Sequence, residues 1–290
     1  MAYVGLRIGA AIVGALPFRV AIALGSAVGV VVSYVATGRK EMVRRHAARL
    51  GVAPEDLDAH VRAVFAGYGR YWAEALWVRP RRSEEVLSRT SYDGLERVIA
   101  ARDAAAGIVF ALPHMGNWEL AIPIADMIGI HAVAVAENLA NTRIRDWFVR
   151  MREEMGVGIV LATGAAQVMR QLEAEIAAVG TVALLCDRDL RGRGVEVEFF
   201  GERTTLPAGP ASLAMRTGAP IFPVATYFDG VGHKVVIRPA ITVPDKGDRS
   251  TRIAVTTQRL AKELEVLIRA APEQWHLLQP NWPTDHRAPE

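Results

Sequence analysis

The sequence predicts an α/β fold: a central, largely parallel mixed sheet flanked by helices, with an apolar helical segment at the N-terminus. From about residue 95 onward, short apolar runs alternate with longer helical stretches, as in strands joined by crossover helices. Of the 290 residues, 51% are hydrophobic, which is enough apolar side chain to cover both faces of such a sheet. The third observation is a run without any charged residue, 20–37, close to the N-terminus.

The uncharged run reads VAIALGSAVGVVVSYVAT and has 18 residues. As a helix it would be about 27 Å long, which is at the lower limit for crossing a bilayer. A signal peptide, a transmembrane helix, a helix lying in the membrane interface and a helix packed on the protein's own core all fit this pattern. We assign residues 1–38 to an apolar, membrane-associating helical segment and residues 39–290 to a single α/β domain.

A cluster of basic residues follows the uncharged run, opposed only by Glu41. Its members are Arg39, Lys40, Arg44, Arg45 and Arg49. A basic cluster directly after an apolar segment suits the anionic surface of a membrane on its cytoplasmic side. A solvated helix face is the alternative. The formal net charge of the chain is only +3, and this composition does not indicate a nucleic acid partner.

The remaining elements are predicted from the periodicity of the apolar residues. The predicted strands are 107–112, 131–135, 158–162, 181–186, 195–201, 220–228 and 234–239. The predicted helices are 54–76, a helix that follows the first strand and ends at Asp126, 142–155, 165–179, a short helix from Pro207 to Thr217, and 251–269. Strands that alternate with helices in this way predict a covered, largely parallel sheet.

The segment ALPHMGNWELA, residues 111–121, places titratable side chains at the end of the first strand. Catalytic and ligand-binding groups of open α/β sheets gather at the carboxyl ends of the strands. His114 is a candidate general base there, because an imidazole titrates near neutral pH. Glu119 could orient His114 or cap the turn, and backbone N–H groups near Gly116 and Asn117 suit an anion or a developing oxyanion. An ordinary strand-to-helix turn and a pair of metal ligands are the alternatives.

A second acidic site, LLCDRDL at residues 184–190, follows another predicted buried strand. Asp187 and Asp189 are therefore expected at the same sheet edge as His114, where a carboxylate can orient the base. A loop salt bridge with the neighbouring arginines is the alternative. A metal site built on His114, Glu119 and Asp187 also stays open at this point.

Missing motifs narrow the class of protein. The sequence has no G-x-S-x-G elbow, no G-x-G-x-x-G after a strand, no P-loop and no H-E-x-x-H. These absences argue against an α/β-hydrolase, a dinucleotide-binding protein, a P-loop nucleotidase and a zincin. Cys186 is the only cysteine, which excludes a disulfide framework and a Cys-based metal site. We expect Cys186 to be a buried strand residue.

Three separated segments resemble acyltransferases that move a fatty acyl chain from a thioester to a lipid hydroxyl. They are YDGLERVIAARDAAAGIVFALPHMGNWEL, with its H-x-x-x-x-[DE] motif, FFGERTTLPAGPASLAMRTGAPIFPVATY and PEQWHLLQPNW. The resemblance covers nearly the whole chain, is strongest over 40–282, and falls in the branch that contains the bacterial lipid A late acyltransferases. Within that branch, AVAENL with Glu137, CDRDL, and the ending WHLLQPNW look like the actinobacterial phosphatidylinositol mannoside acyltransferases.

The resemblance implies a glycerolipid-acyltransferase-like fold and a set of catalytic residues. His114 would deprotonate the acceptor hydroxyl, which attacks the thioester directly without a covalent enzyme intermediate. Asp187 would accept a hydrogen bond from the other imidazole nitrogen and fix the tautomer. Glu119 would complete the motif and support its loop.

The resemblance also implies a set of substrate-binding residues. Glu137 would bind hydroxyls of the acceptor, and Arg152 would bind the acceptor or hold the site electrostatically. A surface ion pair within one helix is the alternative for Arg152. Backbone N–H groups at Gly116 and Asn117 would stabilise the tetrahedral oxyanion.

The substrates and the location follow from the same resemblance. The donor would be acyl-CoA, with no further cofactor and no metal, and the acceptor a phosphatidylinositol mannoside glycolipid acylated on the mannose 6-hydroxyl, typically with palmitate. The protein would be peripheral or monotopic at the cytoplasmic side of the inner membrane. Two other interpretations stay open: the same chemistry on a lipid A precursor or another glycolipid, and a non-catalytic lipid-binding protein.

Overall fold

The structure, a computed structural model, describes residues 2–78, 80–120, 129, 131–189 and 192–286. Its helices are α1 (Ala2–Ala15), α2 (Phe18–Val35), α3 (Thr37–Arg49), α4 (Leu57–Trp77), α5 (Ser83–Leu87), α6 (Leu95–Asp103), α7 (Thr142–Glu153), α8 (Ala165–Ala177), α9 (Gly209–Thr217) and α10 (Arg249–Arg269). Its strands are β1 (Thr90–Asp93), β2 (Ile108–Leu112), β3 (Ala132–Ala136), β4 (Val157–Leu161), β5 (Thr181–Leu185), β6 (Val195–Phe199), β7 (Glu202–Leu206), β8 (Ile221–Asp229) and β9 (Gly232–Ile237).

The described strands form one large sheet and one hairpin. The large sheet has the order β1-β9-β8-β2-β5-β3-β4, and β6 and β7 form the separate antiparallel hairpin. Neighbouring strands of the large sheet are parallel except for β8 and β9. The largely parallel mixed sheet predicted from the sequence is therefore confirmed. Because parallel strands end at the same edge, β2, β5 and β3 bring the residues that follow them to one place.

The strands follow the predictions closely, with two additions, and the short helices α5 and α6 were not predicted either. Every strand predicted from an apolar run is present within a few residues of the predicted bounds. β1 and β7 were not predicted, because their sequences, TSYD and ERTTL, contain no apolar run. Of the helix predicted to end at Asp126, only the short 3₁₀ turn Trp118–Leu120 is described, and residues 121–126 lie outside the described part of the chain.

The core lies on both faces of the large sheet, because alternate side chains of a strand point to opposite faces. On one face, Val109 and Val182 are buried with residues from α8, α9 and α10. On the other face, Ile108 and Phe110 are buried with Val98 of α6. Each fully buried side chain of this kind contributes about 1.5–3 kcal/mol, so the strands that carry the site are held firmly in place.

The apolar segment is joined to the rest of the protein by close packing of α2 on α4. Gly25 and Gly29 of α2 cross α4 at Phe65 and Gly69. A Cβ atom on Gly29 would overlap the carbonyl oxygen of Phe65, and one on Gly69 would overlap that of Gly25. Only glycine therefore allows the two backbones to approach this closely. The boundary between segment and domain at residue 38 stays a prediction.

Both α1 and α2 also expose apolar side chains to solvent. They are Val4, Ile8 and Ile12 on α1, and Val20, Leu24, Val28, Val31 and Val35 on α2. Among the described helices, α2 is long and apolar enough to cross a membrane by length and composition, and 22% of it is buried in the protein. A helix that only packs on the core of a soluble protein does not leave such a face in water. The two helices are consistent with association of the protein with a membrane.

The basic cluster after α2 is mostly occupied by ion pairs within the protein. Arg44 pairs with Asp58, Arg45 with Glu41, and Arg49 with Glu202 and Asp285. Arg49 is also largely buried and links α3 to the C-terminal segment. Paired charges attract a further ion less strongly, so this cluster is a weaker site for anionic lipid than the sequence predicts.

Candidate active site

Three strand ends bring together residues that the sequence placed far apart. β2, β5 and β3 are consecutive neighbours in the sheet, and Leu112 of β2 lies opposite Leu185 of β5. His114 follows β2, Asp187 follows β5, and Glu137 follows β3. The shared sheet edge predicted for His114 and Asp187 is therefore present in the structure.

His114 and Asp187 are in direct contact. The Nδ1 atom of His114 lies 2.6 Å from Oδ1 of Asp187, and the backbone N–H of His114 donates to Oδ2 at 3.0 Å. A carboxylate only accepts hydrogen bonds, so Nδ1 carries a proton, and in the neutral imidazole Nε2 keeps its lone pair. Among the described residues, Nε2 has no hydrogen-bond partner, and the side chain is 14% exposed. The arrangement is that of an oriented base with one nitrogen free for a substrate.

Asp187 is fully buried and ionised. Burial alone would raise the pKa of its carboxyl, but the adjacent His114 and hydrogen bonds from His114 and Trp275 outweigh it, and the pKa is lowered from its ordinary value. Trp275 donates its indole N–H to Oδ2 at 2.8 Å. The sequence assigned no role to Trp275, although it lies in the PEQWHLLQPNW segment. Its contact holds the carboxylate oxygen that the imidazole does not contact.

Glu119 forms its own cluster rather than contacting His114. Arg152 donates to both carboxylate oxygens of Glu119, through Nε at 2.9 Å and through a second nitrogen at 2.5 Å. The Tyr71 hydroxyl donates to the same carboxylate at 3.1 Å. Burial tends to raise the pKa of Glu119, but the charge and hydrogen bonds of Arg152, with the Tyr71 hydroxyl, lower it. Arg152 thus pairs with another element, and not with a neighbour on its own helix.

Gly116 and Asn117 lie in the loop after His114, and their groups are largely engaged. Gly116 has φ of +54°, and a Cβ there would overlap the carbonyl oxygen of Thr226, so the turn requires glycine. The N–H of Gly116 donates to the carbonyl of Gln274 at 3.0 Å. The expected oxyanion donor at Gly116 is therefore already bonded, and this part of the sequence interpretation is corrected. The backbone N–H of Asn117 has no partner among the described residues.

The side chain of Asn117 is buried and faces the protein, not a substrate. It donates to Oε2 of Glu74 at 2.8 Å. Glu74 also accepts from His233 at 2.8 Å and from Arg70 at 2.7 Å, and it is fully buried. Burial tends to raise the pKa of Glu74, but its hydrogen bond and charge interaction with His233, together with Arg70, lower it. This ionised network joins α4 to the loop that carries His114, and sequence patterns gave no signal for it.

Aromatic rings surround His114 on the side of α4. Trp118 stacks on Tyr71, with ring centroids 3.9 Å apart. It also forms an edge-to-face contact with His114, with ring centroids 5.3 Å apart. His276 lies against the same rings and is buried, and its backbone N–H donates to the carbonyl of His114 at 2.8 Å. Burial lowers the pKa of His276 to about 3, with a further contribution from His114, so His276 is neutral.

Glu137, Asp189 and Cys186 take no part in the contact between His114 and Asp187. Glu137 is exposed at the end of β3. Asp189 accepts from Gly194 and Thr205, which ties its loop to the β6–β7 hairpin instead of the site. Cys186 is buried as expected, and burial raises the pKa of its thiol. Within the described residues, no three His, Cys, Asp or Glu side chains are arranged to hold a metal ion.

The comparison with known proteins identifies the family of this chain. The chain belongs to the bacterial lipid A biosynthesis acyltransferases, whose family model matches residues 2–284. The family resemblance seen in the sequence is thereby confirmed, and the protein is an acyltransferase of this family.

Curated relatives narrow the similarity further. The chain is 36% identical over 258 residues to the phosphatidylinositol mannoside acyltransferase of Mycolicibacterium smegmatis (strain ATCC 700084 / mc(2)155), a match that covers 86% of this chain and 81% of the relative. It is also 36% identical over 255 residues to the phosphatidylinositol mannoside acyltransferase of Mycobacterium tuberculosis (strain ATCC 25618 / H37Rv), covering 86% of this chain and 78% of the relative.

Proposed function

We propose that the protein transfers a fatty acyl group, preferably palmitoyl, from acyl-CoA to the mannose 6-hydroxyl of phosphatidylinositol mannosides. The observation that carries this proposal is the 2.6 Å contact of His114 with Asp187, which leaves Nε2 free at the sheet edge. The names of the mycobacterial relatives support the acceptor. The donor and the role of His114 rest on the site and on the resemblance.

The reaction is a direct acyl transfer with His114 as general base. Nε2 takes the proton of the mannose 6-hydroxyl while the hydroxyl oxygen forms a bond to the thioester carbonyl carbon. The resulting tetrahedral oxyanion collapses, the carbon–sulfur bond breaks, and the imidazolium returns its proton to the departing thiolate. The products are the acylated lipid and free CoA thiol. Asp187 stays ionised and stabilises the imidazolium between the two proton transfers.

The oxyanion has one backbone donor available next to the base. The N–H of Gly116 is bonded to Gln274, whereas the N–H of Asn117, one residue further along, is free of partners in the described structure. We assign the oxyanion contact to the Asn117 N–H, held in place by the bond between the Asn117 side chain and Glu74.

Glu137 and Arg152 are the proposed polar contacts of the acceptor. Glu137 is exposed at the strand edge, and its carboxylate can accept hydrogen bonds from sugar hydroxyls. Arg152 keeps its charge because Glu119 raises the pKa of its guanidinium despite burial, and it places this charge beside the loop of His114. Glu119 does not contact the substrate in this proposal. It holds the loop after His114 in place through its bonds to Arg152 and Tyr71.

The protein would work while lying on the cytoplasmic surface of the inner membrane. The packing of α2 on α4 supports a helix in the interface, because a helix that crosses the bilayer alone would not bury one face on the protein's own domain. Replacing Val28 and Val31 by Glu should lower sedimentation with phospholipid vesicles. Replacing the exposed Glu84 and Glu85 by Gln should not lower it. Equal vesicle binding by the wild-type protein and both variants would contradict the proposed location.

The acceptor is tested by a panel of lipids with mass spectrometry of the products. Purified protein and palmitoyl-CoA are incubated with phosphatidylinositol mannoside, with a lipid A precursor, or with no acceptor. A mannoside product heavier by one acyl group supports the proposal. Acylation of the lipid A precursor alone would support the acyl-transfer reaction but show that the proposed acceptor is wrong. The lipid A precursor is included because the chain belongs to the bacterial lipid A biosynthesis acyltransferases. Acyl-chain binding without any transfer would support a lipid-binding protein instead.

A further inference from the structure

A cleft between α1 and α7 lies beside the apolar face of α1. It has a volume of about 470 Å³ and is lined by Arg7, Ala10 and Ala11 of α1, Trp147, Arg150 and Met151 of α7, and Glu154. α1 also carries the exposed side chains of Val4, Ile8 and Ile12. The cleft therefore opens at the level of the proposed membrane surface.

Two arginines in this cleft have no carboxylate partner among the described residues. Within the described part of the chain, Arg7 donates only to the Tyr3 hydroxyl, at 3.1 Å, and Arg150 has no side-chain hydrogen bond or ion pair. By contrast, Arg152 of the same helix is paired with Glu119. Two unpaired guanidinium groups on facing helices suit a phosphate-type anion, which Arg binds through two parallel N–H bonds.

The remaining polar residues of the cleft suit a polyol attached to that anion. The Glu154 carboxylate can accept hydrogen bonds from ring hydroxyls, and the half-buried indole of Trp147 offers a flat apolar surface for a ring. A phosphodiester joined to a hydroxylated ring is the chemistry of a phosphoinositide headgroup, which the proposed acceptor carries.

The cleft and the candidate active site share helix α7. Arg150 precedes Arg152 by two residues, about 3 Å along the helix axis, and Arg152 is bonded to Glu119 in the loop that follows His114. Successive residues point in different directions around a helix, so α7 presents Arg150 to the cleft and Arg152 to the site.

The geometry points to Arg7 and Arg150 as the binding site for the phosphodiester of the lipid acceptor, with Trp147 and Glu154 contacting its inositol ring. This inference rests on the proposed function, because it assigns the headgroup of the same acceptor. The site holds the lipid at the membrane surface while the sugar attached to the ring reaches Nε2 of His114. It gives selectivity for acceptors that carry a phosphodiester.

The kinetic test compares two acceptors and two double variants. Arg7→Gln/Arg150→Gln removes both proposed contacts, and Arg19→Gln/Arg143→Gln removes two exposed charges from an N-terminal helix and from α7 outside the cleft. The acceptors are phosphatidylinositol mannoside in neutral detergent micelles and an alkyl mannoside without phosphate. We expect the first variant to raise KM for the phosphoinositide by about tenfold or more, with the alkyl mannoside and acyl-CoA kinetics unchanged, because charge-assisted bonds to the phosphate are lost.

Three kinetic results would overturn the site. They are an unchanged KM for the phosphoinositide, an equal loss with the phosphate-free acceptor, and a rise in KM for acyl-CoA instead, which would assign the arginines to the phosphates of the donor. An equal rise in KM in the control variant would show that the loss of positive charge, and not the loss of a specific site, weakens binding of the phosphoinositide.

A binding test separates this inference from the proposed function. The deacylated headgroup, glycerophosphoinositol mannoside, is titrated into each protein by calorimetry. We expect binding to weaken by about tenfold or more in Arg7→Gln/Arg150→Gln and to stay unchanged in the control. If the wild-type protein transfers no acyl group to any acceptor, the proposed function is wrong. If the three proteins bind the headgroup with equal affinity, the proposed site is wrong.

Discussion

Asp187 contacts both the imidazole and the backbone of His114, with Oδ1 2.6 Å from Nδ1 and Oδ2 3.0 Å from the backbone nitrogen. The two contacts fix the side chain and the main chain of His114 relative to the same carboxylate. Because β2 and β5 are adjacent parallel strands, the residues that directly follow them lie side by side at the sheet edge. The proton on Nδ1 leaves Nε2 as the basic atom.

Replacing Asp187 by Asn should lower acyl transfer by about 10²–10⁴-fold, as expected when a catalytic histidine loses the carboxylate that sets its tautomer. The amide nitrogen of Asn would donate towards Nδ1 and favour the proton on Nε2, where it blocks the base. The measurement is thiol release from palmitoyl-CoA in the presence of the mannoside. Far-UV circular dichroism establishes that the variant is folded, and near-normal release by a folded variant would rule out this role.

Trp275→Phe should lower the rate of acyl transfer, because it removes the 2.8 Å hydrogen bond from the indole N–H that holds the Asp187 carboxylate beside His114. Without this donor, the pKa of the Asp187 carboxyl should rise towards its ordinary value. Trp72→Phe, which removes an indole from α4, is the control. The measurement is thiol release from palmitoyl-CoA, with far-UV circular dichroism to establish that the variant is folded. A rate equal to that of the wild-type protein would contradict this role for Trp275.

Asn117→Ala should lower kcat with little change in either KM, and destabilise the protein by about 1–2 kcal/mol. The substitution removes the 2.8 Å bond to Glu74 and loosens the loop that places the Asn117 N–H and His114. Asn138→Ala, in an exposed loop, is the matched control. A parallel rise in the acceptor KM would instead assign the side chain to substrate binding.

Glu119→Gln should reduce the free energy of unfolding by about 2–4 kcal/mol, because it leaves the largely buried Arg152 without a counter-charge. Glu153→Gln, on the exposed face of α7, should have little effect. The double variant Glu119→Gln/Arg152→Gln should recover part of the loss, since no unpaired charge then remains. Urea denaturation provides the comparison, and equal stability of the wild-type and Glu119→Gln proteins would show that the pair contributes nothing.

Acid should destabilise the protein through the same carboxylates. The pKa values of Asp187 and Glu119 are lower in the folded protein than their ordinary values. Their contribution to stability is therefore complete above the pKa of the unfolded chain, about 4, and is lost as the pH falls through the folded values. We expect the free energy of unfolding to fall steeply below about pH 4, and less steeply in Asp187→Asn. A slope unaffected by that substitution would contradict the assignment.

The strands and the central pair could be predicted from sequence because both depend on local patterns. Buried parallel strands are continuous apolar runs, so β2 and β5 stand out, and residues after such strands meet at one edge. His114 and Asp187 were found in this way, although 73 residues separate them. The turn at Gly116 was recognised, but the acceptor of its N–H, Gln274, comes from a segment with no periodic pattern.

The contacts that hold the pair in place could not be predicted. Trp275 lies 88 residues from Asp187, and Glu74 lies 43 residues from Asn117, and both reach their partners only after α4 and the C-terminal segment have packed on the sheet. A buried glutamate inside an amphipathic helix looks like a solvated residue in the sequence. The ion pairs of Arg44 and Arg49 were hidden for the same reason, since Asp58 and Asp285 belong to other elements.

The most direct test of the mechanism is thiol release from palmitoyl-CoA by three proteins: wild type, His114→Ala and His131→Ala, the last altered at an exposed histidine. Each is assayed with phosphatidylinositol mannoside and without an acceptor. We predict mannoside-dependent release by the wild-type and His131→Ala proteins, and none above the uncatalysed rate by a folded His114→Ala variant. Mannoside-dependent release by His114→Ala at a rate close to wild type would contradict His114 as the base.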